Sequence, residues 1–216
     1  IGGYVDKAKE VVDAQVKVPA GYTLGWSGQF EYMERAAERL RIVVPVTLLI
    51  IFLLLFFNFR NIHAPLVVLL SIPFGLIGGF WLVYWLGFNM SVAVAVGFIA
   101  LAGVAAEIGV LVLTFIDQEV ARYRHEKTGA APLDVKEIMQ AVHRGTSERV
   151  RPIAMTATAI IGGLLPIMWG SGTGSSVMQR IAAPMVGGMV TVTVLSLLVL
   201  PVIYGFVLQW RESRES

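Results

Sequence analysis

The chain has 216 residues, of which 56% are hydrophobic and only 15% charged, and its formal net charge is +2. Together with a mean hydropathy of +0.72, this composition excludes an ordinary soluble domain. The absence of Cys excludes a disulfide framework and a thiolate metal site.

The first 39 residues have the pattern of a soluble domain edge. Apolar residues between 5 and 16 recur at helical spacing, Pro19-Ala20-Gly21 breaks the pattern, and residues 23–26 alternate as a short strand. Because the chain starts at Ile1 without a Met, we expect residues 1–39 to end a larger domain that lies upstream. Charged and apolar residues then interleave from Glu31 to Arg41, which predicts that the first membrane helix extends beyond the bilayer.

Five apolar runs are long enough to cross the hydrocarbon core of a bilayer, which takes about 17–25 residues of helix. Their length separates them from the helices of a soluble core. The sequence therefore predicts an all-α membrane protein with five transmembrane helices, preceded by a short α/β edge of an outer domain. The bundle is predicted over residues 40–210, with a tail at 211–216. The predicted spans are 40–59, 64–86, 91–116, 152–169 and 181–208.

Lys and Arg residues are concentrated on one side of this predicted bundle. Segment 117–151 holds seven of them. Connections between consecutive spans alternate between the two sides of the membrane, so the loop with Arg60 and the C-terminal arginines lie on the same side as this segment. Such an excess of basic residues marks the cytoplasmic side of a membrane protein. We therefore expect a bacterial inner membrane, with the N-terminal segment in the periplasm and the C-terminus in the cytoplasm.

The long segment between the third and fourth spans contains an amphipathic pattern. Apolar residues between 133 and 142 form a stripe with charged residues around it, which predicts a helix over 133–144 in the membrane interface. The alternative is a surface helix packed under the bundle. Neither interpretation gives this segment a role in chemistry.

Small residues recur within the predicted spans. Gly75 and Gly79 have the GxxxG spacing, and Gly187-Gly188 interrupts the last span. Small residues let membrane helices approach closely, so these positions predict tight packing.

Glu107 is the only charged residue between Ser91 and Ile116. A carboxylate near the centre of a membrane helix costs roughly 2.5–3.5 kcal/mol on insertion scales, so such a residue usually serves a function. Burial penalises its charged form, which suits a group that takes up and releases protons. We predict a proton or ion site, the alternative being a carboxyl that only bonds a neighbouring helix. Hydroxyls that could partner it belong to Thr156, Thr158, Thr191 and Thr193.

Enzyme signatures are absent from the sequence. The three His residues lie in predicted loops without metal-ligand spacing, and there is no HExxH motif, nucleophile elbow or Walker lysine. We therefore expect no enzyme and no cofactor, and an ion gradient as the energy source. Thioethers are soft ligands that favour Cu(I) and Ag(I), and Met178 follows a Gly-rich loop just outside the last predicted span. The alternative for Met178 is ordinary packing.

Two long stretches resemble the inner-membrane pumps of heavy-metal RND exporters. They are Val92–Glu107 (VAVAVGFIALAGVAAE) and Gly163–Met189 (GLLPIMWGSGTGSSVMQRIAAPMVGGM). The shorter motifs WSGQFE at 26–31 and RVRP at 149–152 are also similar. The resemblance covers essentially the whole chain and is greatest to the Cu(I)/Ag(I) type. It implies the C-terminal part of a longer pump, with the end of its periplasmic porter domain and membrane helices eight to twelve.

The resemblance also implies a function and partners. Pumps of this type are homotrimers that join a periplasmic adaptor and an outer-membrane channel, and they expel Cu⁺ or Ag⁺ in exchange for protons. By position, Glu107 matches the membrane carboxylate of the proton relay, where drug-exporting relatives have a Lys. Met178 matches a methionine of the stepwise metal relay, and Thr156 and Arg149 match polar positions on the proton path. Lipid is the surrounding medium, and we expect no nucleic-acid partner.

One position departs from the family pattern. The resemblance calls for a Lys just after the Arg-Pro pair at the start of the fourth span, where this chain has Ile153. The proton path is then arranged differently in this chain, or the pump belongs to a divergent branch of the family. An RND pump for divalent metals or drugs, and a membrane anchor without transport activity, stay as alternatives.

Overall fold

The computed structural model describes residues 2–16, 18–19, 21–26, 28–127 and 133–215. Within these residues the regular structure is helical, and no strand is present. Two compact units are found, Ile1–Leu49 and Ile50–Ser216.

The first unit contains helix α1 (Gly2–Gln15) and the beginning of helix α2 (Gln29–Phe59). The helical pattern predicted near the N-terminus is thus confirmed, and α2 begins well before residue 40, as the interleaved charges predict. The predicted strand at residues 23–26 is not observed. A strand needs a neighbouring strand to satisfy its backbone N–H and C=O groups, and the described residues offer none.

The second unit holds the rest of α2 and six further helices. They are α3 (His63–Gly75), α4 (Ile77–Trp85), α5 (Val92–Glu126), α6 (Val135–Met168), α7 (Ser175–Val194) and α8 (Leu200–Glu215). Among the described residues, five helical stretches are long and apolar enough to cross a membrane, in agreement with the predicted number. These stretches are Glu34–Phe59, His63–Trp85, Val92–Glu126, Val135–Met168 and Ser175–Ser213.

Local sequence signals set several helix ends. The Ser91 hydroxyl accepts a hydrogen bond from the Val94 N–H, which caps α5. Asp134 and Glu137 form a capping box at the start of α6. At the end of α4, Gly87 adopts a φ of 66°, a left-handed conformation that glycine tolerates best.

Helix α6 corrects one prediction. The structure joins the predicted interfacial helix over 133–144 and the predicted span over 152–169 into one helix, Val135–Met168. Within the apolar stripe, Ile138 and Val142 are buried, whereas Val135 and Met139 are 55% and 57% exposed. Gly145 lets the middle of α6 lie against α5, because a Cβ there would come within 2.9 Å of the Ile116 Cα.

Two of the membrane stretches contain breaks at prolines. Leu76 separates α3 from α4, shortly after Pro73, and the turn Leu195–Val199 separates α7 from α8 as a π-helix. Pro201 has no N–H to donate to Leu197, and the Leu200 N–H instead reaches the Leu195 carbonyl. The predicted spans at 64–86 and 181–208 are therefore interrupted helices.

Close packing through glycines holds α4 against α7. A Cβ at Gly78 would lie 2.4 Å from the Gly187 carbonyl oxygen, and one at Gly187 would lie 2.4 Å from the Gly78 carbonyl oxygen. Beside this contact, the Thr191 hydroxyl of α7 donates to the carbonyl of Gly75, the last residue of α3, at 2.6 Å. Lipid is as apolar as these side chains, so close van der Waals contact and hydrogen bonds stabilise membrane helix pairs. The predicted tight packing is observed.

Candidate functional site

The positions of the predicted site residues follow from how α5 packs on α6. The two helices run antiparallel, with Gly145 against Ile116 and Arg149 over the Phe115 ring. Continuing this register by 1.5 Å per residue along both helices brings Thr156 to about the depth of Glu107.

Glu107 lies on an exposed face of α5. Glu107 is exposed, and Ala105 and Gly109, each about 160° around the helix from it, are buried, so the carboxylate points away from the core of the second unit. A Cβ added at Gly103, one turn away, would meet nothing within 4 Å, which shows that the space beside the carboxylate is open. Within the described residues, Glu107 makes no hydrogen bond or ion pair. The carboxylate is therefore accessible from outside the second unit.

The threonines considered as partners of Glu107 use their hydroxyls elsewhere. Thr156 donates to the Pro152 carbonyl of its own helix at 3.1 Å, and Thr158 donates to Ala154 at 2.8 Å. Thr193 likewise bonds its own helix, and Thr191 bonds Gly75. Thr156 is exposed, so its hydroxyl oxygen still has room to accept a hydrogen bond.

Arg149 lies apart from Glu107. Its guanidinium carbon is 3.3 Å from the centroid of the Phe115 ring, a cation–π contact, and its Nε is buried without a hydrogen-bond partner. Phe115 follows Glu107 by about 12 Å along α5, at 1.5 Å per residue. Arg149 is thus more than two helical turns from the carboxylate.

Ile153 packs inside the second unit and is 3% exposed. Glu107 points outward on the neighbouring helix, so the structure gives position 153 no direct contact with the carboxylate. Ile153, at the position where the family pattern has a Lys, therefore packs among apolar side chains.

Met178 lies in the first turn of α7 and is 58% exposed. Farther along α7, the Ile181 carbonyl contacts Gly97 of α5, ten residues before Glu107. Met178 is therefore about 15 Å or more from Glu107 along the bundle. The thioether is accessible to a ligand, and the two residues do not form one site.

Two polar clusters near the α5–α6 loop escaped the sequence analysis. Glu119 is 9% exposed and lies 3.7 Å from both Arg122 and Arg144, and its Oε2 has no hydrogen-bond partner. The Tyr204 hydroxyl donates to the Asp117 Oδ1 at 2.5 Å and ties α8 to α5. The sequence placed these carboxylates only at the end of an apolar run, and two of their partners, Arg144 and Tyr204, are far away in sequence.

Among the described residues, Glu107 is a carboxylate near the middle of a membrane helix, and it has no hydrogen-bond or ion-pair partner there. The described residues contain no group of three His, Cys, Asp or Glu side chains placed to hold a metal ion. Glu107 and Thr156 share a depth, whereas Arg149 and Met178 lie toward opposite ends of the bundle.

Comparison with known proteins identifies the class of protein that has this bundle. The model of the AcrB/AcrD/AcrF family matches residues 1–208, and the chain belongs to that family. A solved structure of a heavy metal efflux pump matches with a TM-score of 0.77 and 33% identity, over 97% of this chain and 20% of that one.

Two similar proteins are named for cation efflux and for metal resistance. The chain is 45% identical to the cation efflux system protein CusA of Escherichia coli (strain K12) over 93% of its length and 19% of the relative's. It is 42% identical to the cobalt-zinc-cadmium resistance protein CzcA of Cupriavidus metallidurans, over 94% of this chain and 18% of that protein. The chain therefore spans about a fifth of the length of these relatives.

Proposed function

We propose that this chain forms the C-terminal membrane helices of the inner-membrane subunit of a proton-driven Cu⁺/Ag⁺ exporter. The observation that carries the proposal is Glu107, the single charged residue between Ser91 and Ile116. Its carboxylate is exposed on α5, and it has no partner among the described residues. A membrane anchor without transport activity has no need for such a costly residue.

Glu107 is proposed as the group that binds and releases the transported proton. In the complete protein, residues outside this chain cover its face of α5 and supply the second relay carboxylate. Thr156, at about the same depth, accepts a hydrogen bond through its free lone pairs while it donates to Pro152. Arg149 is proposed to favour anionic groups near the end of the path, since its Nε is buried without a partner.

Monovalent soft metal ions are the proposed substrate. The thioether of Met178 is a ligand type that selects Cu(I) and Ag(I), and its exposure leaves the sulfur accessible. The resemblance to Cu(I)/Ag(I) pumps and the 45% identity to CusA agree with this choice. Export of divalent metals is the second candidate, because the relative named for cobalt, zinc and cadmium is 42% identical.

The proposed assembly is a homotrimer in the inner membrane that joins a periplasmic adaptor and an outer-membrane channel. The end of the bundle with Arg60, the α5–α6 loop and the C-terminus is proposed to face the cytoplasm, because it is rich in Lys and Arg. The first 39 residues then belong to the periplasmic porter domain.

A metal tolerance assay tests the substrate. The complete pump is expressed in a bacterial strain that lacks its own copper, silver and zinc exporters, with the empty vector as control. We expect growth at higher Cu and Ag concentrations and no gain with Zn²⁺ or Co²⁺. A gain confined to Zn²⁺ or Co²⁺ would replace the monovalent proposal with the divalent one.

A further inference from the structure

An open groove separates α6 from the last helix on the surface of the second unit. The cavity has a volume of about 430 Å³, and it follows α6 from Met139 to Val150 and the other side from Leu197 to Gln209. This volume lies in the range of ligand pockets, about 300–1,000 Å³. We call it the α6–α8 groove.

Backbone features of the last helix leave the groove unfilled. The π turn Leu195–Val199 and Pro201 lie beside it, and Gly205 contributes no side chain to its floor. A Cβ at Gly205 would meet nothing closer than the Val142 Cγ2 at 3.6 Å, an ordinary contact. The space is thus open to an occupant from outside the chain.

The exposed apolar side chains along the groove suit an acyl chain better than another helix. Leu198, Val202 and Phe206 are 65%, 57% and 67% exposed. Helix contacts in membranes favour small residues that permit close approach, as at Gly78 and Gly187 in this bundle. Large, flexible side chains that project into the bilayer instead contact lipid tails.

A lysine and a histidine lie toward one end of the groove. His143 lines it, and Lys136 lies seven residues earlier on the same face of α6, since seven residues make almost two full turns. The nearest acids on α6, Glu137 and Glu148, lie about 120° or more around the helix from His143. Glu137 also accepts a hydrogen bond from Lys127 at 2.7 Å.

Other charged side chains near this end already form ion pairs. Arg144 lies 3.7 Å from Glu119, and Glu212 of α8 pairs with Arg124. The polar lining on the α8 side comes from Gln209, which is neutral. Asp134, the remaining acid near this end, accepts the Val135 N–H as the cap of α6. An anionic group at this end of the groove therefore meets Lys136 and the His143 ring, with Glu148 directed to another face of α6.

The geometry points to a binding site for one anionic phospholipid. Its acyl chain fills the α6–α8 groove, and its phosphate lies beside Lys136 and His143 at the basic end of the bundle. Basic pockets between membrane helices on the cytoplasmic side bind anionic head groups in this way. The inference depends on the proposed membrane orientation and is independent of the transported ion.

Photolabelling of the complete pump tests the site. The pump is reconstituted in phosphatidylethanolamine vesicles that contain a small fraction of phosphatidylglycerol or phosphatidylethanolamine with a photoactivatable acyl chain. Labelled peptides are then mapped by mass spectrometry. We expect labelling of residues 139–150 and 197–209, and stronger labelling by the phosphatidylglycerol probe.

Three variants distinguish head-group binding from groove filling. K136Q should weaken phosphatidylglycerol binding about fivefold, which is what roughly 1 kcal/mol per basic residue amounts to, and leave phosphatidylethanolamine labelling unchanged. G205L should lower labelling by both probes, because its side chain fills the groove. R60Q is the charge-matched control at another loop, and it should behave like the unsubstituted pump. An unchanged melting temperature establishes that each variant is folded.

Several results would overturn the site. Absence of label from both segments would mean that another part of the protein covers the groove. Equal labelling by the two probes, unaffected by K136Q, would remove the anionic head group from the proposal. An equal loss in K136Q and R60Q would show only a general attraction of anionic lipid to basic loops.

Discussion

The outward direction of Glu107 is the main residue-scale finding. The sequence predicted a carboxylate within a membrane helix, because charge is costly there at any orientation. It did not predict which face of α5 carries the carboxylate, since the surrounding run is apolar on all sides. Exposure of Glu107, with Ala105 and Gly109 buried on the opposite side of α5, gives that direction in the structure.

Hydroxyl partners were the least predictable part of the candidate site. Thr156, Thr158 and Thr193 donate to carbonyls of their own helices, a choice available to any Thr in a helix. Thr191 alone of the four reaches another helix, because Gly75 of α3 lies close to α7, where a Cβ at Gly75 would come within 2.8 Å of Val192. A spacing pattern in the sequence does not distinguish these outcomes.

At Met178 we expect the thioether to act as a metal ligand. Met178→Leu keeps the apolar volume and removes the sulfur, so it should lower Cu and Ag tolerance conferred by the complete pump. Met90→Leu is the matched control, since Met90 is 61% exposed and Met178 is 58% exposed. Equal tolerance of the two variants at equal expression would assign Met178 to packing.

At the scale of elements, the helices were predicted well and their continuity less well. Apolar length is a strong signal for a membrane helix, and it predicted all five stretches. The continuity of α6 was missed because charged residues near Arg149 resemble a loop between helices. The π turn depends on how the backbone adapts to Pro201, which composition alone does not specify.

The contact between α4 and α7 should be sensitive to one methyl group. Gly78→Ala places a Cβ against the Gly187 carbonyl and should destabilise the bundle by about 1–3 kcal/mol, the usual range for overpacking. The melting temperature of the complete pump in detergent measures this effect. Gly109→Ala is the control, because its Cβ would meet Val68 at an ordinary 3.4 Å. Equal melting temperatures for both variants would contradict the tight contact.

The hydrogen bond between Tyr204 and Asp117 should also contribute to stability. Tyr204 is 1% exposed, so Tyr204→Phe leaves the Asp117 carboxylate without this donor at a cost of about 1–3 kcal/mol. Thermal unfolding of the complete pump measures the loss. Tyr84→Phe, at an 80% exposed position, should have no effect. A Tyr204→Phe variant as stable as the unsubstituted pump would remove the bond as a link between α5 and α8.

For the whole molecule, the family was predictable because its motifs extend along the chain. Stretches such as 92–107 and 163–189 carry the resemblance, and the family match over residues 1–208 confirms it. The β part of the predicted N-terminal edge was not observed, since a strand depends on partners that a local pattern does not reveal. Metal selectivity was not predictable from this chain either, because it depends on the full set of ligands around the ion and Met178 is one candidate ligand.

Membrane orientation gives a direct prediction at this scale. This chain contains no Cys, so single cysteines can be added to it in a complete pump whose other cysteines have been replaced. Arg60→Cys and His125→Cys should react with an impermeant maleimide only after the cytoplasmic face is opened. Met90→Cys and Thr173→Cys should react from the periplasmic side. The reverse pattern would invert the proposed topology.

Proton movement coupled to metal transport tests the central claim most directly. The complete pump is reconstituted in vesicles that enclose a pH-sensitive dye, and Ag⁺ is supplied on the side from which it is exported. We predict a silver-dependent proton flux that Glu107→Gln abolishes without loss of protein or trimer, and that Glu107→Asp retains in part. An undiminished flux in Glu107→Gln would contradict the role of Glu107 as the proton carrier.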